Sequence, residues 1–156
     1  MNITPEQFQI LFPRAVKWVS DMETEILQKG APLNPDQIED AKNAGVKAPE
    51  KVRVLYAPIP IPVDLALAKA AMETGLISPH TGGTTFQYGI VIRSDCRADR
   101  KLLIHELTHT GQYERLGGIA NFLHPYVSEC LSPGYPFGPL EQEAMKTADR
   151  LVGNQP

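Results

Sequence analysis

Cysteine is scarce in this sequence of 156 residues: only Cys96 and Cys130 occur, too few for a framework of disulfide bonds. We therefore expect a reduced, cytoplasmic chain. The N-terminus lacks a basic segment followed by an unbroken apolar run, which argues against a signal peptide. No window approaches the run of about 18 apolar residues that a membrane-spanning helix needs, so no such helix is predicted.

Clusters of lysine and arginine are also missing, and the formal net charge is −3 at pH 7. Proteins that bind nucleic acid or anionic membranes usually present a basic patch, so we expect neither partner. The contents of 42% hydrophobic and 21% charged residues are typical of globular proteins, and the length suits one domain with its own core. No repeat or linker divides the sequence, which predicts a single domain over residues 1–156. Nothing in the composition indicates an oligomeric state.

Proline, by contrast, is abundant, with 14 residues that concentrate at element edges and in the stretches APIPIP and SPGYPFGP. Such stretches favour rigid loops, because proline donates no hydrogen bond to a sheet. Between them, capping signals and apolar periodicity predict the regular elements. We expect helices over 5–29, 35–44, 63–74, 97–116 (capped by Asp95), 119–131 and 140–152, strands over 51–57 and 85–93, and a loop over 78–84. The sequence therefore predicts a mostly helical α+β domain with a short sheet.

The pentapeptide His-Glu-Leu-Thr-His, from His105 to His109, lies within the fourth predicted helix. Histidines four positions apart project from the same helix face, so both imidazoles can reach one metal ion. A catalytic zinc ion takes three protein ligands and a water molecule, and a glutamate after the first histidine can accept a proton from that water. The motif therefore predicts that His105 and His109 bind Zn²⁺ and that Glu106 acts as the general base.

This pattern is short enough to occur by chance, and the competing interpretation is a pair of structural histidines. The sequence around the motif favours the metal site. An extended segment over 85–93 precedes the helix, and an edge strand in that position can hold a peptide by main-chain hydrogen bonds. Apolar walls for the site are supplied by Leu102, Leu103, Ile104 and Leu107.

A third ligand must come from elsewhere, because Gln112 stands where a histidine three residues after His109 would extend the motif. Two acidic residues, Glu141 and Glu143, open the last predicted helix. Glu143 shares its face with polar residues, whereas Glu141 shares its face with Ala144, Met145, Ala148 and Val152. An inward carboxylate is costly unless it is paired or bound to metal, so periodicity favours Glu141 over Glu143. A first-turn acid that only favours the helix dipole is the alternative for Glu141.

A histidine motif followed by a later helix that opens Leu-Glu-Gln-Glu-Ala resembles the gluzincin arrangement of thermolysin-like peptidases, CAAX-type membrane proteases and ImmA/IrrE-type peptidases. In those families the third ligand is a glutamate near the start of a downstream helix, which corresponds to Glu141. The resemblance implies a zincin-like fold with the sheet beside the motif helix, and zinc-dependent peptide hydrolysis. The segment over 109–144 also resembles a family of short, functionally uncharacterised bacterial proteins, and this likeness covers roughly the C-terminal 70 residues. Where gluzincins often carry an acid or amide four residues after the ligand, Met145 stands here, and Asp149 is the candidate substitute.

Hydrolysis of a peptide bond also needs a donor to the developing oxyanion, usually Tyr, His or Arg. Tyr113, one turn after His109, and Tyr135, in the loop before the last helix, are the principal candidates. The further candidates are Gln112, Tyr126 and His124, and simple packing is the competing role for each aromatic residue. We interpret His80 as part of a solvated turn rather than of the rim of the site.

Together these features predict a zinc-dependent hydrolase, most simply a small metallopeptidase that acts on a peptide or protein. In this interpretation residues 1–50 form an N-terminal helical part and residues 51–156 form the catalytic core. One alternative is a non-catalytic regulatory or binding domain stabilised by zinc, and another is a helical interaction module without metal. Glu106 favours catalysis, since a structural zinc site usually has four protein ligands and needs no base. Two histidines and a carboxylate also suit iron or manganese.

Overall fold

The computed structural model describes residues 3–78 and 81–153, and His80 lies outside that part. The described residues are mostly helical and include a small sheet, which confirms the predicted α+β class. The α-helices are α1 (Pro5–Lys29), α2 (Pro35–Asn43), α3 (Leu65–Glu73), α4 (Arg100–Leu116), α5 (Ile119–Glu129) and α6 (Pro139–Ala148). The strands are β1 (Ala31–Pro32), β2 (Arg53–Tyr56), β3 (Gly83–Phe86) and β4 (Gly89–Ile92).

The four strands form one mixed sheet in the order β1–β2–β4–β3. β2 and β4 run parallel, whereas β1 pairs antiparallel with β2 and β3 pairs antiparallel with β4. Helices α1 and α5 cover one face through a core that includes Val19, Phe86 and Leu123. Helices α2 and α4 cover the other face, where Ile90 and Leu107 are buried. Because β3 ends the sheet, its outer edge is left for the site described below.

Local capping signals determine where the first two helices begin. The Thr4 side chain accepts a hydrogen bond from Gln7 N, and the Gln7 side chain accepts one from Thr4 N. Asn34 and Gln37 repeat this reciprocal pair at the start of α2. Such pairs satisfy N–H groups that a helix leaves without partners at its start. Both predicted starts are confirmed, and α1 continues through Pro13.

The predicted single strand over 85–93 is wrong, because the segment folds into a hairpin of β3 and β4. Gln87, in the two-residue turn, has a φ of 60°, which a residue other than glycine seldom adopts. Glu23 accepts hydrogen bonds from Gln87 Nε2 and Tyr88 N, and Thr110 donates one to the carbonyl of Gln87. Contacts with α1 and α4 therefore stabilise a turn that local sequence does not indicate. The predicted loop over 78–84 likewise extends too far, since β3 begins at Gly83.

The start of α4 also differs from the prediction. Asp99 is the N-cap and accepts a hydrogen bond from Leu102 N at 3.0 Å. Asp95, the predicted cap, instead accepts hydrogen bonds from Arg93 at 2.7 and 3.0 Å within a short 3₁₀ turn. The helix therefore begins at Arg100 rather than at Arg97, because the second of two aspartates supplies the cap.

The remaining differences concern element ends. The two-residue strand β1 was not predicted, since Ala31 and Pro32 show no strand pattern and pair with β2 only at the sheet edge. Helices α5 and α6 end at Glu129 and Ala148, and each is followed by a wider, π-type turn. Among the described residues, no helix combines the length and the apolar character that a membrane span requires.

Candidate metal centre

The motif helix α4 and the first turn of α6 bring three potential metal ligands together. His105 and His109 lie one turn apart on α4, with ring centroids separated by 5.0 Å. Glu141 reaches both: its Oε1 lies 2.7 Å from His105 Nε2, and its Oε2 lies 3.1 Å from His109 Nε2. One ligand atom of each residue falls within 4.8 Å of the other two. Two imidazole nitrogens and a carboxylate oxygen, which we call the triad, can thus converge on one ion.

A contact between α5 and α6 positions the turn that carries Glu141. Glu129, at the end of α5, accepts a hydrogen bond from Leu140 N at 2.8 Å. It thereby pairs one of the N–H groups left free at the start of α6. Gly138 allows this close approach, because a Cβ at that position would lie 2.5 Å from Glu129 Cβ. A larger residue at position 138 would move the turn and Glu141 with it.

Glu141 and His109 are almost completely buried, with 5% and 6% of their surfaces exposed. Burial by itself raises the pKa of Glu141, but hydrogen bonds with His105 and His109 outweigh it and hold that pKa well below its usual range. Burial alone would lower the pKa of His109, yet its hydrogen bond with Glu141 and the charges of Glu106 and Glu141 raise it overall. Glu141 is therefore kept ionised, which is the form that binds metal.

Glu143, the other acidic residue considered as a ligand, has different partners. Its Oε1 accepts hydrogen bonds from Gln112 Nε2 at 2.7 Å and from Arg115 at 3.0 Å. Burial raises the pKa of Glu143, but these two hydrogen bonds outweigh it and lower the pKa. The structure thus has Glu141 facing the histidines and Glu143 facing away from them. Glu143 is exposed, as the solvated face predicted from the sequence requires, although it is also hydrogen-bonded.

Gln112 connects Glu143 with His109 and determines how the imidazole is protonated. Its Nε2 donates to the carbonyl of Leu140 at 2.9 Å and to Glu143 at 2.7 Å. Because the amide nitrogen faces these two acceptors, its Oε1 faces His109 Nδ1, at 2.7 Å. An amide oxygen can only accept, so Nδ1 carries a proton whether the ring is charged or neutral. When the charged ring loses its other proton, the lone pair is therefore left on Nε2. That nitrogen is the one beside Glu141, where a metal ligand is needed.

Glu106 lies beside the triad and is held by β3. Thr85 Oγ1 donates a hydrogen bond to Glu106 Oε1 at 2.7 Å. Gly83, on the same side of the strand, lets β3 approach, since a Cβ there would lie 3.1 Å from Glu106 Cγ. Glu106 Oε2 has no hydrogen-bond partner among the described residues. Every buried side-chain nitrogen or oxygen of those residues does have a partner, so this oxygen is not buried. The second oxygen of this carboxylate therefore opens to the cavity beside the triad.

The three tyrosines near the triad differ in their hydrogen bonds. Tyr126 donates a hydrogen bond to Glu141 Oε2 at 2.8 Å, so it supports the ligand directly. Tyr113 is 2% exposed, stacks on Phe122 and donates to the carbonyl of Thr85 at 3.2 Å. Tyr135 lines the cavity and makes no hydrogen bond within the described part of the chain. Burial and the charges of Glu141 and Glu106 raise the pKa of Tyr135, so its hydroxyl keeps its proton.

Other residues singled out in the sequence lie elsewhere. Asp149, the candidate support for the ligands, forms an ion pair with Lys101 and is mostly exposed. Met145 is 40% exposed, so neither residue supplies the support that the sequence analysis sought after Glu141. His124 packs against Phe8 and Phe12 on α1, and no contact joins it to the triad. Gln112 and Tyr126 provide the support instead.

The outer edge of β3, on the side of the triad, carries backbone N–H and C=O groups that point away from the sheet. Arg93 N donates to the carbonyl of Gly82, so the backbone of Gly82 faces β4. In an antiparallel pair this orientation alternates, and the backbone groups of Gly83 and Thr85 therefore face away from β4. The bond from Tyr113 to the Thr85 carbonyl agrees with that orientation. The N–H and C=O of Gly83 and the N–H of Thr85 are left for an extended ligand.

Two cavities meet at the triad. One of about 140 Å³, the triad cavity, lies toward α1 and is bounded by β3, α3 and α5. The other, of about 470 Å³, lies toward the start of α4 and the end of α6 and includes Asp99, Lys101 and Asp149, so we call it the charged cavity. The residues that line both cavities are Thr81, Gly83, His105, Glu106, Tyr135 and Glu141. An extended molecule can thus run along β3 from one cavity to the other and pass the triad.

Comparison with models of protein families, with curated proteins and with solved structures finds no match for this chain. Functional inference therefore rests on the geometry of the site. Sequence reasoning missed Thr85, because its contact with Glu106 depends on how a strand 21 residues away packs on α4. It also missed the role of Gln112, although spacing gave a signal: a residue three positions after His109 lies on the same helix face.

Proposed function

We propose that this protein is a zinc-dependent hydrolase, most simply a small metallopeptidase. The observation that carries the proposal is the arrangement of His105, His109 and Glu141 around one point, with the open carboxylate oxygen of Glu106 beside them. A closed structural zinc site usually has four protein ligands, whereas the described part of this chain offers three here. Three ligands and a neighbouring acid are what a hydrolytic site requires.

The donor set fits a zinc ion. Zinc accepts imidazole nitrogen and carboxylate oxygen, with bond lengths of about 2.0–2.2 Å. Tetrahedral ligand atoms with such bonds lie about 3.3–3.6 Å from one another. The carboxylate and imidazole atoms now lie 2.7 and 3.1 Å apart, so they would need to separate by less than about 1 Å to receive the ion. A bound zinc ion would act as a Lewis acid and would lower the pKa of its coordinated water molecule to about 7. Iron and manganese also accept these ligands, so elemental analysis of the purified protein is needed to identify the metal.

The chain's own residues supply the remaining steps. Glu106 Oε2 opens to the triad cavity, where it can accept a proton from water and return it to the leaving amine. Tyr135 makes no hydrogen bond within the described residues, and its raised pKa favours the protonated hydroxyl, so it can donate to the oxyanion that forms on the carbonyl. The outer edge of β3 can pair with a peptide and hold its carbonyl beside the triad. This edge supports the proposal that the substrate is a peptide or protein.

The first experiment is elemental analysis of the purified protein, with Glu141→Ala and Glu143→Ala beside the wild type. We expect about one zinc ion per chain in the wild type, loss of zinc in Glu141→Ala, and retention in Glu143→Ala with weaker binding. Equal loss in the two variants would contradict the assignment of Glu141 as the ligand. A wild-type protein that stays empty after zinc, iron and manganese are offered would overturn the metal site altogether.

A non-catalytic domain stabilised by zinc is the competing function. It has the same metal content but no turnover, so hydrolysis of denatured casein by the zinc-loaded protein separates the two. Release of new amino termini that depends on Glu106 supports the hydrolase. Full zinc occupancy without any release, across a panel of unfolded proteins, would favour the binding domain.

A further inference from the structure

We propose that a hollow beside the triad, bounded by α1, α3 and α5, binds one large aliphatic or aromatic side chain of the substrate. This inference rests on the proposed peptidase function and specifies its substrate. The hollow, which we call the apolar hollow, has a volume of about 120 Å³. Among the residues that line it are Phe12, Trp18, Leu67, Ala71, Leu76 and Leu123.

None of the described residues that line the apolar hollow is charged. Among them Thr74 carries the one hydroxyl, which is already used, since it donates to the carbonyl of Ala71 at 3.1 Å. A polar or charged side chain placed there would lose its water without gaining a partner, which is costly. The chemistry of the walls therefore selects an apolar occupant.

The apolar hollow borders the triad cavity. The residues that line both are Trp18, Val19, Ala71, Leu76 and Leu123. The hollow therefore lies directly beside the cavity into which Glu106 opens. From this adjacency we infer that a substrate side chain that leaves the triad cavity between these residues enters the apolar hollow.

The volume fits one side chain. An apolar cavity of about 150 Å³ in another protein holds a benzene molecule, and 120 Å³ is slightly smaller. A leucine, isoleucine or phenylalanine side chain is of that size, whereas alanine would leave most of the space empty. We therefore expect selection among apolar residues by size.

The register of β3 indicates which side chains of a bound peptide point toward the apolar hollow. Phe86 belongs to the core cluster on the α1 side of the sheet, whereas Thr85 contacts Glu106 on the α4 side. A peptide paired with the outer edge of β3 alternates in the same way. Its side chains therefore point toward α1 at every second position, and one of these enters the apolar hollow. On the far side of the triad, the charged cavity includes Asp99, Lys101 and Asp149, so its walls differ in chemistry from those of the apolar hollow.

The test uses N-acetyl amino acid hydroxamates, whose hydroxamate group binds zinc, with leucine, phenylalanine, alanine and glutamate side chains. Trp18 is the sole tryptophan in the sequence and lines the apolar hollow, so its emission reports binding. In the zinc-loaded wild type we expect the leucine and phenylalanine probes to bind about 10–100-fold more tightly than the alanine probe. Equal affinities for the four probes would overturn the proposal.

Variants of α3 locate the effect. Ala71→Phe fills the apolar hollow and should abolish the preference for leucine over alanine, with zinc content unchanged. Ala66→Phe makes the same substitution on an exposed part of α3 that lines neither cavity nor hollow, and should keep the preference. A preference that survives in Ala71→Phe would contradict the assignment.

A second measurement separates this inference from the proposed function. N-acetyl-leucine amide and N-acetyl-alanine amide carry the same side chains without a metal-binding group, and are titrated into protein stripped of metal. A preference for leucine that Ala71→Phe removes would support the hollow as a side-chain site even if the protein bound no zinc. The absence of any preference would overturn the inference, whatever the metal content.

Discussion

The two sides of the triad are built on different principles. Toward α6, polar side chains join in directional hydrogen bonds, from Arg115 through Glu143 and Gln112 to His109. Toward α1, the apolar hollow is defined by its shape, and the hydroxyl of Thr74, the one among its described lining residues, is already paired. A hydrogen-bonded network fixes the position and protonation of its members, whereas an apolar surface discriminates by size. Substitutions on the first side should therefore change metal binding and turnover, and those on the second should change only selectivity.

The largest effect on the polar side is expected from Glu106→Gln. The amide retains an oxygen that accepts the hydrogen bond from Thr85, so the fold and the triad should be unchanged. It cannot take a proton from water, and hydrolysis of casein should fall by about 10²–10⁴-fold. Turnover and zinc content are measured on the same sample. Loss of zinc would show that Glu106 is a ligand rather than a base.

A somewhat smaller effect is expected from Tyr135→Phe, which removes a hydroxyl that faces the cavity. If this group stabilises the oxyanion, kcat should fall by about 10²-fold while KM changes little. Tyr113→Phe is the matched control: its hydroxyl donates to the carbonyl of Thr85, so that variant should lose stability and keep most of its kcat. The reverse order would assign the donor to Tyr113.

Gln112→Leu tests the polar network at its centre. Without the amide, His109 Nδ1 loses its acceptor, and zinc affinity should fall by about 10–100-fold. Glu143→Gln keeps an oxygen that can accept from Gln112 and should have a smaller effect. Affinities follow from competition with a chelator of known strength. If Gln112→Leu bound zinc as tightly as the wild type, the network would have no part in holding the metal.

The comparison also explains what the sequence could and could not predict. Helix starts at Thr4 and Asn34, and the inward face that carries Glu141, depend on residues within one or two turns of each other. These were predicted correctly. The turn at Gln87 and the contact between Thr85 and Glu106 depend on partners far along the chain. The apolar hollow is assembled from three helices, so no local pattern indicates it.

The smallest predicted effect concerns the start of α4, which contributes to neither the polar network nor the apolar hollow. Asp99→Ala removes the N-cap of the motif helix and should lower the free energy of unfolding by about 0.5–2 kcal/mol. Asp95→Ala, which removes only a surface pair with Arg93, should change stability less. Denaturant unfolding measures both. Neither variant should alter zinc affinity or the preference among hydroxamates, because the ligands lie one turn or more further along α4 and are held by α6. If Asp99→Ala weakened zinc binding as strongly as Gln112→Leu does, the position of the ligands would depend on the stability of the helix as a whole rather than on the polar network.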